Sequence, residues 1–153
     1  MVKFAIYNTK IGYLKISYIE NKITRIAKES PPILDFGKRS DLSDDAIEQI
    51  DEYLEGKRRT FSFPIFIEGT EFQKKVWRQI SMIPYGKTAS YKHIAELIGN
   101  PKAARAIGNA NNKNPLAIII PCHRIIGANG NLTGYAWGLE TKAKLLDIEK
   151  ENS

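Results

Sequence analysis

The chain has 153 residues, 42% apolar and 26% charged, with one cysteine and a formal charge of +6. That length supplies a core for one domain or two small ones. A single thiol excludes an internal disulfide, one cysteine with His93 and His123 falls short of a structural zinc site, and the longest apolar run, residues 116–120, is too short to span a membrane. The opening MVKFAIYNTK lacks the apolar core of a signal peptide, so a soluble protein of the cytoplasm or nucleoid is expected.

The charge is unevenly placed. Residues 1–69 hold 11 basic and 11 acidic residues, whereas residues 70–153 hold 12 and 6. Between 72 and 139 nine Lys and Arg face Glu96 alone. Such asymmetry is the footprint of a polyanion partner, usually nucleic acid, or more plainly a solvated basic face.

In chain order, VKFAIYNT alternates with Val2, Phe4 and Ile6 on one face. YLKISYIE does likewise with Leu14, Ile16 and Tyr18, and ITRIAK supplies a third strand. Residues 30–42, with Pro31, Pro32 and Gly37, read as a loop. SDDAIEQIDEYLEG predicts a helix capped by Ser43, with Ile47, Ile50 and Leu54 inward and Gly56 at its end. TFSFPIFIEG alternates again and, because of Pro64, reads as an edge strand.

From Thr70 the pattern becomes helical. Thr70 and Gln73 form a capping box ahead of Phe72, Val76 and Ile80, and Pro84 stops the helix. SYKHIAELIGNPKAARAIGNAN reads as two helices about a tight turn. Tyr91, Ile94, Ala95 and Ile98 share a face of the first, Gly99 ends it, Asn100 caps the second and Pro101 takes its first position. This is the layout of a helix-turn-helix, though any pair of packed helices is similar. In the second helix Ala103, Ala106, Ile107 and Ala110 share one face and Arg105 lies opposite, placed for contact with DNA.

NPLAIII reads as a buried strand ended by Pro121, leaving Cys122 and His123 at its exit. Adjacent residues of a strand point apart, so only a turn lets them share a pocket, where an imidazole can take the thiol proton. The plainer reading makes Cys122 a small buried hydrophobe. The closing helix LETKAKLLDIEK sets Leu139, Ala143 and Leu146 on one face with Glu149 at its margin. A carboxylate in the last turn calls for a cationic or donor partner. The fold class is α+β: residues 1–68 a small sheet with a helix, residues 69–153 a mainly helical domain holding the helix-turn-helix.

Together, IPCHRIIG, SYKHIAELIGNPKAARAIGNANNKNP and GYAWGLETKAKLLDIE resemble the O6-alkylguanine-DNA alkyltransferases, which repair DNA by direct reversal. The likeness runs from about Thr70 to Glu149. It implies a ribonuclease-H-like N-terminal domain and a winged-helix-like C-terminal one. It implies that Cys122 accepts the alkyl group of O6-alkylguanine (less well O4-alkylthymine) once and irreversibly, with His123 as base through a water and Glu149 orienting His123. By the same resemblance Asn114 braces the active-site turn and Arg105 fills the vacated base stack. Tyr91 helps extrude the nucleotide and donates to guanine O6, so it projects into a pocket instead of the core. Ser90, Lys102, Ala104, Asn109 and Arg124 are implied as further DNA contacts, and Ile125, Tyr135, Ala136 and Trp137 as the substrate pocket. The implied partner is double-stranded DNA gripped in its minor groove by a monomer, with no membrane, metal or cofactor.

Two departures stand out. Where the family often carries Tyr-Ser-Gly-Gly, this chain has Tyr135-Ala136-Trp137-Gly138, losing a hydroxyl and adding a ring at the pocket rim, so bulky adducts such as benzyl are expected to behave differently from methyl. The N-terminal zinc ligands of some members are absent. A non-catalytic alkylated-DNA sensor or regulator is the alternative, although such proteins lack the acceptor cysteine. A thiol hydrolase using Cys122, His123 and Glu149 would turn over, where a transferase is stoichiometric.

Overall fold

Three antiparallel strands lead the chain, β1 (Lys3–Thr9), β2 (Gly12–Ile19) and β3 (Lys22–Glu29), ordered β1-β2-β3. They belong to the first of two units, Met1–Glu68 and Gly69–Ser153, into which the computed structural model, describing residues 1–153, divides. Ala5 pairs with Ile16 and Tyr7 with Leu14, so these four share a face. Helix α1 (Asp41–Leu54) packs there, and the Tyr7 hydroxyl meets Ser43 at 2.8 Å and donates to Asp44 at 2.7 Å. The face of β1 against α1 is Ala5 and Tyr7, while Ile6, on the other face with Phe4, is buried as well. Tyr7 can take part in this face because a tyrosine buries its ring while its hydroxyl finds partners. Val2 lies outside the strand and is exposed. Along the outer edge of β1 runs Gly37, at φ +73, where a Cβ would stand 2.1 Å from the Phe4 carbonyl oxygen. Only glycine fits.

Helix α1 begins one turn earlier than Ser43. Ser40 is the N-cap and Ser43 the third helical residue, each side chain reaching the other's backbone N–H. Residues 60–69 do not form the expected edge strand. They meet β3 through a single parallel bridge, Ile23–Ile65, with Ile23 N–H donating to the Pro64 carbonyl at 2.9 Å. Pro64 has no N–H with which to extend a ladder.

In the second unit α2 (Glu71–Ile80) carries the Thr70–Gln73 capping box. It buries Val76, Trp77 and Ile80, while Phe72 at its start remains exposed. The Trp77 indole N–H donates to the Ala110 carbonyl at 2.8 Å, fastening α2 to α4 (Ala104–Asn112). Between them lies α3 (Tyr91–Leu97), capped by the Ser90 side chain. It ends with Gly99 at φ +79, Gly99 N–H on the Glu96 carbonyl and Asn100 N–H on the Ala95 carbonyl. That is a Schellman ending, and it explains why Asn100 and Pro101 do not start α4: Asn100 is committed to the end of α3, and residues 100–103 form a turn before Ala104. Ala103, Ile107 and Ala110 face inward as predicted, but Ala106 is exposed beside Arg105. A two-residue parallel ladder, β4 (Ala89–Ser90) with β5 (Ile125–Ile126), links the start of α3 to the segment after Cys122. Helix α5 (Leu139–Glu151) closes the chain. No helix is long and apolar enough to cross a membrane.

Candidate active site

Residues 114–120, predicted as a buried strand, bury Leu116, Ala117, Ile118 and Ile120 but are not extended. They fold into a tight turn in which Ile120 N–H donates to the Leu116 carbonyl at 2.8 Å and Ile118 sits at φ +76. A β-branched residue there costs about 1–2 kcal/mol. Asn114 holds the turn from one side, its Oδ1 accepting from Leu116 N–H at 2.9 Å and its Nδ2 donating to the Ile120 carbonyl at 2.8 Å. An apolar run gave no sign of this turn, because the bracing asparagine precedes it in sequence.

Pro121 leads into one turn of 3-10 helix, Cys122–Arg124, so Cys122 and His123 are not on the alternating faces of a strand. Cys122 is buried. Burial pushes its pKa up to about 11, against the opposing pull of Asn114, the Lys142 charge and Tyr135. At neutral pH roughly one molecule in ten thousand would be thiolate, so the group needs a base to react.

Glu149 supplies the anchor for that base. It is 1% exposed, at the centre of the buried face of α5 and not at its margin. That face is Thr141, Lys142, Leu145 and Glu149, whereas Leu139, expected inward, is exposed and Ala143 and Leu146 are half-buried. The face is set by polar groups that find partners inside, which a hydrophobic pattern does not reveal. Glu149 Oε2 meets His123 Nε2 at 2.6 Å and Arg124 Nη2 at 3.0 Å, while Oε1 accepts from Arg124 Nε at 2.8 Å and Gly86 N–H at 3.1 Å. Arg124 Nη1 donates to the Ile83 carbonyl at 2.7 Å. Arg124, expected as a DNA contact, is thus 7% exposed and committed to a bidentate pair with Glu149. Its PCHR position placed it beside the reactive turn, but nothing in the sequence showed it turned inward.

The pair has an electrostatic consequence. His123 is fully buried, and burial lowers its pKa; Glu149 pulls the other way, and Arg124 adds to the lowering. Arg124 therefore spends the carboxylate charge that would otherwise hold a proton on His123, and the imidazole stays neutral. With Nε2 engaged by Glu149, Nδ1 is the nitrogen able to take a proton.

Around Tyr91, at the start of α3, the structure gathers residues that the sequence reading passed over. The half-buried Tyr91 hydroxyl donates to the Thr133 carbonyl at 3.2 Å. The same carbonyl accepts from Lys142 Nζ at 2.8 Å, which also reaches the Gly134 carbonyl at 3.2 Å. Lys142 is wholly enclosed, and burial lowers its pKa to about 8. Its spacing from Leu145 and Glu149, three and seven residues, marks all three as one helix face. Asn111 of α4 is buried, with its Nδ2 3.5 Å from the Cys122 carbonyl oxygen. Tyr135 is buried with its pKa raised by burial and then by the Cys122 charge, and its ring centre lies 6.2 Å from that of the half-buried Trp137. Ala136 is exposed and Ile125 fully enclosed in β5. Lys102, Ala104, Arg105 and Asn109 are all exposed, the last three on α4.

A buried thiol next in sequence to a neutral imidazole held by a carboxylate, on a unit with a basic helix pair, defines a thiol group-transfer or hydrolytic centre on a scaffold suited to DNA. The chain belongs to the 6-O-methylguanine DNA methyltransferase family: residues 71–151 match that family's DNA binding domain and residues 2–67 its ribonuclease-like domain. It is 56% identical over 105 residues to the methylated-DNA–protein-cysteine methyltransferase of Methanosarcina acetivorans, spanning 69% of this chain and 67% of that one. It is 43% identical over 151 residues to the constitutive enzyme of that name from Bacillus subtilis, spanning 93% and 92%. The crystal structure of Mycobacterium tuberculosis OGT in complex with DNA superposes with a TM-score of 0.86 at 38% identity, covering 98% of this chain and 94% of that one.

Proposed function

We propose that the protein repairs alkylated DNA by direct reversal, moving the alkyl group of O6-alkylguanine irreversibly to Cys122. The observation that carries this is the buried Cys122 thiol in its asparagine-braced turn, next in sequence to a neutral His123 held by Glu149. A nucleotide inside a duplex cannot reach a buried sulfur, so it must be flipped out. His123 takes the thiol proton through a water. The sulfur then attacks the alkyl carbon, the S–C bond forms as the C–O6 bond breaks, and a proton from Tyr91 neutralises the departing guanine. A thioether does not hydrolyse, so each molecule reacts once.

Double-stranded DNA is the partner, with the family membership and the basic surplus of residues 70–153 in support. We assign the grip to the minor groove through Lys102, Ala104, Arg105 and Asn109, with Ser90 at the cap of α3 and Arg105 entering the vacated stack. Tyr135, Ala136, Trp137 and Ile125 line the base pocket, and Asn114 keeps the reactive turn in shape. The protein acts as a monomer where the DNA is, takes O4-alkylthymine less well, and divides into a ribonuclease-H-like domain (1–68) and a winged-helix-like domain (69–153).

The deciding experiment is intact-protein mass after mixing with excess duplex carrying O6-methylguanine, followed by peptide mapping. One methyl on the peptide holding Cys122, with an equal amount of guanine restored, is the expected result. Binding without a mass change would leave a damage sensor, and repeated turnover on a small ester would point to a hydrolase.

A further inference from the structure

Lys142 is wholly enclosed on the buried face of α5, and no carboxylate pairs with it. The carboxylate on its own stripe of the helix, Glu149, is spent on Arg124, His123 and the Gly86 N–H. Burying a cation without a counter-charge is costly unless strong hydrogen bonds compensate, so its retention needs a reason. What the amine gains is two successive backbone carbonyls, Thr133 at 2.8 Å and Gly134 at 3.2 Å. The residue that sets the angle between them, Gly134, lies at φ +50, a conformation that costs glycine little.

Both carbonyls belong to the connection from β5 to α5, residues 127–138, which forms neither helix nor strand. Gly127 N–H closes its first part on the Asn131 carbonyl at 2.8 Å. Beyond that turn Thr133 and Gly134 are exposed, and the donors that reach them from outside the loop are Lys142 and Tyr91. Next comes the buried Tyr135, then the half-buried Trp137, with 6.2 Å between their ring centres. Slack at Gly134 therefore passes straight to the wall of the proposed base pocket. The Thr133 carbonyl is shared unequally, by a charge-assisted bond of 2.8 Å from Lys142 and a long one of 3.2 Å from Tyr91. With two lone pairs on that oxygen, Tyr91 can leave and the loop keeps its stronger tie. About two turns further along α5, Glu149 holds His123 at 2.6 Å. One face of one helix thus fixes both the pocket wall and the base of the reactive turn.

We infer that Lys142 is a positioning residue: it clips the Thr133–Gly134 segment to α5, so that the pocket wall stays in place when Tyr91 leaves the shared carbonyl for the flipped base. This rests on the alkyl-transfer reading above. With its amine committed to the loop, Lys142 acts through Tyr135 and Trp137 and not on the reacting atoms.

The test compares Lys142→Met, which keeps the length of the side chain but no donor, with Tyr91→Phe. Acrylamide quenching of tryptophan emission reads the loop, because Trp77 is 3% exposed whereas Trp137 is half-buried. Single-turnover transfer from O6-methylguanine duplex, read by mass over a range of duplex concentrations, separates maximal rate from half-saturation. Thermal melting reads folding. Lys142→Met should raise quenching about twofold and lower the maximal rate about tenfold, since a misplacement of about 1 Å costs up to about a hundredfold. Half-saturation should stay within about twofold, because the expected DNA contacts lie on α3, α4 and the turn between them. Tyr91→Phe should leave quenching unchanged, because Lys142 holds the loop by itself. That arm decides the matter even where Lys142→Met melts below the assay temperature. Quenching that rises in Tyr91→Phe would overturn the inference, as would a Lys142→Met that quenches like the parent or loses affinity instead of rate. Absence of any transfer by the unaltered protein would instead refute the function proposed above, while the quenching arms would still test the clip.

Discussion

Replacing Arg124 by methionine separates two roles that one residue cannot play at once. As a DNA contact, its loss would weaken binding and leave the fold intact. In the structure its guanidinium closes three bonds, two to Glu149 at 2.8 and 3.0 Å and one to the Ile83 carbonyl at 2.7 Å. Glu149 is buried, so Arg124→Met strands a carboxylate in the interior. Breaking a buried pair from one side costs about 3–5 kcal/mol, a large share of a stability of roughly 5–15 kcal/mol. At about 2–4 °C per kcal/mol for a chain of this size, melting should fall by roughly 6–20 °C. Both tryptophans, Trp77 and Trp137, lie in residues 69–153, so their fluorescence reports the unit in question. The loss should also depend on pH. Without Arg124, the carboxylate can be satisfied by a protonated His123, whose folded pKa then rises above its unfolded value. That compensation is present below the unfolded pKa of about 6.5 and is lost as pH rises through the folded one, so the variant should be least impaired near pH 5 and most near pH 8. A melting temperature within about 2 °C of the parent at pH 8, with weakened DNA binding, would show that Arg124 faces the nucleic acid after all.

Other expectations are more quickly checked. Without DNA, iodoacetamide should label Cys122 roughly tenfold faster for each pH unit up to about pH 10, because burial holds the thiol protonated to about 11; a plateau near pH 9 would mean an ordinary cysteine. The pKa of Lys142 is lowered to about 8, so the folded state sheds that proton before the unfolded chain does. The stability of the parent relative to Lys142→Met should therefore rise between pH 8 and about 10.5 in urea titrations, and a flat difference would contradict the burial of a charged amine. Arg105→Ala should slow repair of duplex DNA at least tenfold while leaving transfer from free O6-benzylguanine within twofold, since only the duplex has a stack to fill. Trp137→Gly should change benzyl transfer more than methyl transfer; an equal change in both would remove the ring from the pocket rim.

The hairpin strands and the helix pair were legible because each rests on local rules: alternation, the Thr70–Gln73 box, glycine after α3. Boundaries failed where two local rules competed for one residue, as when Asn100 closed α3 instead of opening α4 and Ser40 capped α1 ahead of Ser43. In the site, the His123–Glu149 contact could be sought from sequence because a late-helix carboxylate demands a partner. The inward turn of Arg124, the enclosure of Lys142 and the neighbours of Asn111 could not. Each depends on a partner 9 to 41 residues away in sequence, which periodicity along one helix does not encode.

The two-residue ladder between β4 and β5 carries a mechanical lesson. Ala89 pairs with Ile125 and Ser90 with Ile126, so the cap of α3 and the exit of the cysteine turn share one strip of backbone. With Trp77 fastening α2 to the Ala110 carbonyl of α4, the helix pair and the turn that carries the reactive sulfur are tied together by bonds outside the chain's own path. If the proposed grip on DNA holds, docking on a duplex would set where the sulfur stands before any lesion is found. On that reading the travel needed for reaction would fall on the nucleotide, and the search for damage would become a test of which bases leave the stack most easily.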